Sequence, residues 1–460
     1  NVPVQSANGL LQLTDGNSKS VTFTETGDKI IYFKLKATKK TGAEKITIKA
    51  SGGGENSTEE IDVEIRNPNP AVVLTSEALV SAGDTSRLSI NMDSPTVDDW
   101  VKMEVSRMPA AALNKNVSYL LDYPYGCSEQ ITSKAFPLLY IETFKKFSEK
   151  ETEKMKFNIN EAIKIITSRQ LGDGGIAYWD GHSYPTEWVT TYAGHFLLEA
   201  KTKGYNVPES VISKWKQFQK KGAQRWNSGD LYNSYYSYSM SDLQQAYRLY
   251  TLALANEPEL GAMNRLKEMK DLSVQARWRL AAAYVLAGKK DAAQQLINNV
   301  PVAVDGYSVY NNTYGSPTRD LAMIMETNLL LGNTGKALSL AKDVSKTLSS
   351  SYITTQTVAY SLIAMSKLAE KMGKGLLAYE WSINGAVQKS PNSSVVFQEI
   401  DIKPQANLSI DFANKGEGEL YVRLIGRTQP LEDNTPPQSN GINLYVKYVD
   451  ENNKEIDITS

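Results

Sequence analysis

The stretch Tyr123-Pro-Tyr-Gly-Cys-Ser-Glu-Gln130 holds the only cysteine of this 460-residue chain, Cys127. Gln130 follows Cys127 at position i+3. A cysteine and a glutamine at this spacing fit a tight turn into a helix, where thiol and carboxamide can condense into an internal thioester with loss of ammonia. Such a bond is a stored acylating group, because a thiolate leaves far more readily than an amide nitrogen. The stretch therefore predicts a chain that captures other molecules covalently.

The neighbours of the cysteine agree with this interpretation. Gly126 gives the backbone freedom just before the turn. Tyr123 and Tyr125 are bulky enough to shield a thioester from hydrolysis, which would leave only glutamate and a thiol. A lone cysteine, however, is more often a small buried hydrophobe than a reactive group. The rest of the chain has to decide between the two.

The composition is that of an ordinary globular protein with several domains. Hydrophobic residues make up 41% and charged residues 22%, and the length predicts about two to four domains. With 50 basic and 51 acidic residues and no basic patch, nucleic acid is not expected as a partner. No apolar run is long enough to span a membrane. A single cysteine excludes an internal disulfide and a cysteine-rich metal site, so we expect no metal and no cofactor other than the internal thioester.

Hydrophobic periodicity divides the chain into three regions. Residues 1–105 alternate apolar and polar residues in short runs, which predicts strands. Residues 107–372 carry apolar residues three and four apart, which predicts helices. Residues 375–460 return to strand patterns. The predicted strands include Val21–Thr24, Ile30–Lys36 and Ile442–Val449. Because β segments flank a helical block, we expect the helical domain to be inserted into a β-sandwich.

The helical region predicts twelve helices. They run over about 110–121, 128–146, 159–170, 188–203, 209–221, 239–256, 259–269, 273–287, 291–298, 318–331, 334–349 and 354–371. No tight repeat is present, so a solenoid is not favoured. Alternating helices predict an α/α toroid, with six inner and six outer helices.

The Gly-Cys-x-Glu-Gln pattern of Gly126, Cys127, Glu129 and Gln130 resembles the thioester motif of the bacterial branch of the alpha-2-macroglobulin family. Ser128 fills its variable position. Further segments resemble toroid segments of the same family: Gln170–Trp179, Trp188–Ala200, Ala246–Ala255 and Thr354–Tyr360. The resemblance is strong over 107–372 and weaker in the β regions.

The resemblance implies a domain order. Residues 68–106 and 373–429 would be the two halves of a CUB-like β-sandwich, with the thioester toroid, 107–372, inserted between them. Residues 1–67 would form a macroglobulin-like β domain, and 430–460 the start of a truncated second one. The fold class is therefore multidomain α and β, with a toroid inserted in a β-sandwich and macroglobulin-like segments on either side.

The resemblance also implies a function, that of a broad-spectrum protease inhibitor acting once per molecule and not an enzyme. In such proteins a protease cuts a bait region, the protein rearranges and the exposed thioester binds the protease. Cys127 would supply the sulfur and Gln130 the acyl carbon, with Glu129 in a supporting role. No bait region is evident here, so we expect a fragment whose parent chain supplies the remaining domains. Target proteases are the expected partners. The expected location is the bacterial periplasm or cell envelope, with any lipoprotein anchor outside this chain.

The histidines bear on the target chemistry. Some family members use a histidine far downstream of the cysteine to favour hydroxyl targets, but His182 and His195 are the only two in this chain and neither lies that far away. We therefore expect direct capture of amines, mainly lysines. His195 is expected to be a packing residue and His182 a loop residue. The tyrosine-rich run 231–240 predicts either a surface loop or an aromatic shelter over the thioester.

Two other classes of function stay open at this point. A toroid enzyme would be prenyltransferase-like, which requires zinc ligands or aspartate-rich clusters that are not evident, or a cysteine hydrolase, which requires Cys127 and His195 to meet in the fold. A non-reactive binding or scaffold module would keep the motif without forming the thioester.

Overall fold

A computed structural model provides the architecture. It describes the chain except for residues 39, 68, 93–98, 110–115, 117–125, 144–146, 228–241, 305–312, 349–352, 373–376, 389–396, 431–440, 442 and 457–460. The predicted helix over 110–121, Tyr123, Tyr125 and the tyrosine-rich run therefore lie outside the described residues, apart from Asn116. No described helix is both long and apolar enough to cross a membrane.

The N-terminal region consists of short antiparallel sheets. Its strands are β1 (Val2–Ser6), β2 (Leu11–Leu13), β3 (Ser18–Lys19), β4 (Leu35–Ala37), β5 (Gly42–Gly52) and β6 (Glu55–Ile65). One sheet has the order β3-β1-β5-β6, and β2 pairs with β4. The strand predicted over Val21–Thr24 is wrong, and the one predicted from Ile30 begins only at Leu35. Ile30 and Tyr32 are 78% and 75% exposed, so their alternation is not matched by a neighbouring strand or a buried face.

A β-sandwich is built from strands on both sides of the helical block. Its strands are β7 (Val72–Val80), β8 (Thr85–Asn91), β9 (Trp100–Ser106), β10 (Tyr379–Ile383), β11 (Ala386–Gln388), β12 (Phe397–Ile402), β13 (Asn407–Asn414) and β14 (Leu420–Thr428). The two sheets have the orders β11-β10-β13-β8 and β12-β9-β14-β7. Each sheet thus pairs early strands with late ones, and the helical block is an insertion, as predicted.

Alternation along the strands gives the sandwich its core. β14 turns Leu420, Val422 and Leu424 inward, and they pack with Met103 of β9 and Phe412 of β13 in one buried cluster. Residues next to the two outer ends of the sandwich are also joined. The Asn67 side-chain amide donates to the carbonyl oxygens of Gln429 and Pro430, each at 3.0 Å. The domain boundaries proposed near 67 and 429 stay predictions.

The described part of the insertion contains eleven α-helices. They are α1 (Ser128–Ala135), α2 (Glu149–Ser168), α3 (Glu187–Thr202), α4 (Glu209–Arg225), α5 (Asp242–Leu254), α6 (Leu260–Lys267), α7 (Val274–Leu286), α8 (Lys290–Leu296), α9 (Pro317–Leu331), α10 (Thr334–Leu348) and α11 (Thr355–Met372). Each corresponds to a predicted helix. Two differ markedly from their predicted bounds.

The two differences have local causes. The helix predicted over 128–146 ends at Ala135, because Pro137 cannot continue a helix interior, and two 3₁₀ turns follow at 137–139 and 141–143. The helix predicted from Ile159 begins at Glu149. Ser148 starts it with a capping box, in which Ser148 accepts from the Glu151 N–H and the Glu151 carboxylate accepts from the Ser148 N–H.

The odd-numbered helices form a closed ring. α1 packs on α3, α3 on α5, α5 on α7, α7 on α9, α9 on α11, and α11 returns to α1. The even-numbered helices pack on the outside of this ring. The inner helices α5 and α11 are buried almost all round, as expected of helices enclosed by others. This is the predicted α/α toroid, and it brings the first and last inner helices into contact.

The C-terminal segment differs from its prediction. The run Ile442–Val449 was expected to be a strand, but residues 443–448 form none, and Val449 makes only an isolated bridge to Glu455. Tyr445 is 85% exposed. As with Ile30 and Tyr32, the alternating pattern is present without a described sheet to complete it.

Candidate thioester site

Cys127 and Gln130 lie against each other at the start of α1. Cys127 is the N-cap residue, with an extended backbone (φ −63°, ψ 168°), and its side chain is 1% exposed. Its N–H donates to Gln130 Oε1 at 3.2 Å, while the Gln130 N–H is directed at the cysteine sulfur. This is the reciprocal geometry of a capping box, with sulfur in place of a hydroxyl. One helical turn therefore holds together the two groups that a thioester would join.

Gly126 is needed for space. A β-carbon there would lie 2.7 Å from Gln130 Cβ and 3.1 Å from Gln130 Oε1. Any larger residue would push the glutamine side chain away from Cys127. The φ of Gly126 is not positive, so the expectation that it supplies backbone freedom is wrong. It is the missing side chain that matters. We refer to Gly126 to Gln130 as the thioester turn.

A loop between α2 and α3 anchors the thioester turn. The Arg169 guanidinium donates two hydrogen bonds to the Asp180 carboxylate, of 2.8 and 3.0 Å. Its Nη1 also donates to the Gly126 carbonyl at 3.4 Å. Ser128 donates its N–H to the Tyr178 carbonyl at 2.9 Å and its hydroxyl to the Ala177 carbonyl at 2.7 Å. The turn is thus fixed on the side facing the loop.

Glu129 joins the first and last inner helices. Its carboxylate is 4% exposed and accepts from Ser133 Oγ at 2.7 Å, Thr355 Oγ1 at 3.3 Å and Gln356 Nε2 at 3.5 Å. Burial raises the pKa of Glu129, and these donors together with the charge of Arg319 oppose that rise. The contacts of Glu129 position α1 against α11.

The thiol environment combines burial with hydrogen bonding. Burial raises the pKa of Cys127, while hydrogen bonds from the Tyr178 hydroxyl and the Gln130 N–H lower it, and the charge of Glu129 raises it further. The net shift is upward. A free Cys127 is therefore protonated at neutral pH.

Two tyrosines that the sequence did not single out lie beside the sulfur. The Tyr178 and Tyr314 rings stack with centroids 5.7 Å apart and 22° between their planes. Tyr178 lies within the segment quoted for its family resemblance, but nothing in the local sequence points it at Cys127. Tyr314 has a left-handed backbone (φ 53°). Sequence reasoning also missed Arg169, because its contacts with the turn join residues 41 and 43 apart in the chain.

The described contacts of both histidines are with residues outside the thioester turn. His195 is buried within the ring, where its Nδ1 lies 2.9 Å from Tyr247 Oη and its ring meets the edge of Phe136. Burial lowers its pKa. None of the described contacts joins His195 to Cys127, so the hydrolase alternative lacks its base here. His182 lies in the loop and stacks on Tyr184. Among the described residues, no cluster of His, Cys, Asp or Glu could hold a metal ion.

A second polar site lies elsewhere in the ring. Glu199, Arg279, Glu326 and Lys367, called here the charged hub, form a network of ion pairs. Lys367 Nζ lies 2.9 Å from Glu199 and 2.7 Å from Glu326, and Arg279 donates to Glu326 at 2.7 Å. Although burial opposes it, Lys367 and Arg279 lower the pKa of Glu326 to about 2. The two basic and two acidic groups balance in charge.

The fold and the site together define a thioester-type helical domain carried by a β-sandwich, and residues 97–229 match the family model described as the A-macroglobulin TED domain. A curated relative, the alpha-2-macroglobulin of Rickettsia conorii, is 24% identical over 473 aligned residues, covering 95% of this chain and 24% of that protein. The alpha-2-macroglobulin homolog of Yersinia pestis is 23% identical over 62% of this chain and 14% of its own length.

Solved structures show the same fold. The native Escherichia coli alpha-2-macroglobulin fragment spanning domain MG7 to the C-terminus aligns with a TM-score of 0.63 and 20% identity, covering 99% of this chain and 73% of that chain. Salmonella alpha-2-macroglobulin reacted with methylamine gives 0.63 and 22%, covering 99% of this chain and 30% of its own. Trypsin-activated Escherichia coli alpha-2-macroglobulin gives 0.51 and 21%, covering 95% and 31%.

These comparisons confirm the resemblance to the bacterial alpha-2-macroglobulin family. The chain spans only 14% and 24% of the two curated relatives described above. What the whole protein does is therefore a matter of proposal.

Proposed function

We propose that this chain is the capturing part of a larger protease inhibitor and that it acts through an internal thioester between Cys127 Sγ and the side-chain carbonyl carbon of Gln130. The observation that carries the proposal is the sulfur capping box at Cys127 and Gln130, with Gly126 leaving room for it. Condensation of the thiol with the carboxamide forms the thioester and releases ammonia.

Capture is then a single acyl transfer. A lysine amine of the target attacks the Gln130 acyl carbon, the carbon–sulfur bond breaks, and the proton lost by the amine ends on the Cys127 sulfur. The products are an amide to the target and a free thiol. The Cys127 N–H already donates to Gln130 Oε1, the atom on which negative charge develops in the tetrahedral intermediate. A donor placed there in advance lowers the barrier.

Proteases are the proposed targets, because the related Escherichia coli protein matched here is described as trypsin-activated. We further propose a preference for amines over hydroxyls. The chain's only histidines are His182 and His195, and their described contacts do not include the thioester turn. The cell envelope or periplasm is the proposed location, with remaining domains and any lipid anchor supplied by other parts of the parent chain.

Methylamine tests the proposal. Fresh protein should hold no free thiol, and methylamine should release one thiol per chain while adding to Gln130, as read by thiol reagent and peptide mass. Gln130→Glu should show a free thiol from the start and take up no methylamine. Gln12→Glu, at an exposed position of β2, makes the same chemical change elsewhere and should behave like the wild type.

The outcomes separate the alternatives. A wild-type thiol that is free in fresh protein, with Gln130 still a glutamine, means a non-reactive module. A glutamate at Gln130 means a thioester that has been spent by hydrolysis. Equal labelling by glycerol and methylamine would contradict the amine preference alone.

A further inference from the structure

The sulfur of Cys127 lies beside a hydroxyl group that the capture reaction, as derived above, does not use. The Tyr178 hydroxyl donates a hydrogen bond to Cys127 Sγ. The backbone fixes this contact, because the Ser128 N–H donates to the Tyr178 carbonyl at 2.9 Å and Ser128 Oγ donates to the neighbouring Ala177 carbonyl at 2.7 Å. The segment that carries Tyr178 is therefore tied to the residue following the cysteine.

The ring of Tyr178 is held as firmly as its backbone. One face stacks on Tyr314 and the edge of Trp179 approaches at 5.6 Å between ring centroids. Arg169 adds a further constraint, since it binds Asp180 on one side of the loop and the Gly126 carbonyl on the other. A hydroxyl fixed in this way loses little conformational freedom when it forms a strong hydrogen bond.

Capture creates a need for such a donor. As the carbon–sulfur bond breaks, negative charge develops on a sulfur that is 1% exposed, and a buried thiolate is unfavourable without hydrogen-bond donors. Glu129, next but one in the chain and also buried, adds like charge. The Gln130 N–H and the N-terminal end of α1 favour the thiolate. Tyr178 adds a side-chain hydrogen-bond donor to these two.

We propose that Tyr178 is a catalytic residue of the capture reaction and that its hydroxyl donates to Cys127 Sγ as this sulfur leaves the acyl carbon of Gln130. Tyr178 keeps its proton throughout: its hydroxyl hydrogen-bonds to the departing sulfur, and the proton lost by the attacking amine ends on that sulfur. The proton balance is that of the overall reaction, in which amine and thioester become amide and thiol. This inference rests on the proposed function.

A purely protective role of Tyr178 predicts the opposite sign. If the ring only excluded water and amines, removing it would speed the reaction. Tyr178→Phe keeps the ring and its stacking on Tyr314 but removes the donor. A donor role therefore predicts slower capture in Tyr178→Phe, whereas a protective role predicts no change or faster capture.

The experiment measures the second-order rate constant of methylamine with the full chain, by thiol release. Before each measurement, peptide mass at Gln130 establishes how much thioester is present. Rate constants are then compared only for chains that hold an intact thioester. We expect Tyr178→Phe to be on the order of 10- to 100-fold slower, the range for loss of a hydrogen bond to a charged group. Tyr184→Phe, which loses a hydroxyl from an exposed ring of the same loop, should keep the wild-type rate.

A second measurement does not depend on the rate. After reaction with methylamine, the free thiol is titrated by its thiolate absorbance. Loss of the donor should raise the pKa of Cys127 in Tyr178→Phe and leave it unchanged in Tyr184→Phe. An unchanged rate and an unchanged thiol pKa in a folded Tyr178→Phe would overturn the inference. If the wild-type chain itself released no thiol, the proposed function would fail, and this inference with it.

Discussion

The thioester turn and the charged hub are both buried in one helical ring, yet they hold their polar groups in opposite ways. In the hub, Lys367 and Arg279 compensate Glu199 and Glu326, and the pKa of Glu326 falls to about 2. At the thioester turn, burial prevails, and the pKa values of Cys127 and Glu129 both rise. The ring lowers the pKa of an acid that serves as structure and raises the pKa of the thiol that would react.

The difference has a physical basis in what each site must do. Removing one partner of a buried ion pair leaves the other charge uncompensated, which is strongly destabilising. A thioester needs a dry environment without a free nucleophile nearby, and a neutral thiol is the form that this environment favours. Removing a charged partner in the charged hub should therefore lower the stability of the fold. Disturbing the packing of the thioester turn should instead lower the thioester content.

The largest effect on stability should come from Lys367→Met. Glu326 would then keep Arg279 and Glu199 would keep His195 as described basic partners, and removing one member of a buried ion pair costs about 3–5 kcal/mol. Urea unfolding followed by circular dichroism measures the loss. Lys371→Met, at an exposed position of the same helix, is the matched control. If Lys367→Met and Lys371→Met lost the same free energy of unfolding, the charged hub would not contribute specially to stability.

Acid should reproduce part of this effect. Glu326 has a folded-state pKa of about 2 against an ordinary value of 4.5. A lowered pKa contributes stability above the unfolded value and loses it as the pH falls through the folded value. We expect the free energy of unfolding to drop between about pH 4.5 and pH 2, and to drop less steeply in Lys367→Met. If the unfolding free energy fell with the same slope against pH in the wild type and in Lys367→Met, Lys367 would not be the cause of the lowered Glu326 pKa.

Glu129→Ala should have a smaller effect. Ser133, Thr355 and Gln356 would lose an acceptor between α1 and α11, which costs about 2 kcal/mol, the middle of the range for unsatisfied buried groups. The same unfolding assay applies, with the exposed Glu153→Ala of α2 as control. A Glu129 variant that matched this control would mean that the contact does not hold the ring closed.

Gly126→Ala should cost least in stability, about 1 kcal/mol at the low end of the overpacking range. Its new β-carbon would approach Gln130 Cβ to 2.7 Å, so the glutamine must turn away from Cys127. The sharper readout is thioester content by peptide mass, which should fall strongly. Gly172→Ala, where a β-carbon meets nothing within 4 Å, should keep the wild-type content.

The parts of this molecule that depend on near neighbours in the chain were predictable from the sequence. The eleven described helices follow from apolar spacing, and the Cys127–Gln130 pair follows from the step of one helical turn. Pro137 and the capping box at Ser148 account for the two helices whose bounds differ from the predicted ones. The failed strands near Ile30 and Tyr445 show that alternation needs a partner strand, which periodicity alone does not supply.

The rest of the candidate site could not be predicted, because it is assembled by distant contacts. Ser128 meets Ala177 across 49 residues, and Arg169 meets Gly126 across 43. Their side chains are common residue types with no local pattern around them. Tyr178 could not be assigned to the site from the sequence, because its loop lies over α1 only in the folded ring. The thioester itself, like the roles of Cys127, Glu129 and Gln130, stays a prediction for the experiments above.

The contact that closes the ring also imposes a delay during synthesis of the chain. Glu129 meets Thr355 and Gln356 across 226 and 227 residues. At about 5–20 residues per second of synthesis, roughly 10–45 s separate their emergence from the ribosome. Through that interval the growing chain has a thiol and a glutamine but no closed ring around them. Nascent chains that end before Thr355 should therefore expose Cys127 to alkylation, and the proposed thioester should form only when the last inner helix is in place.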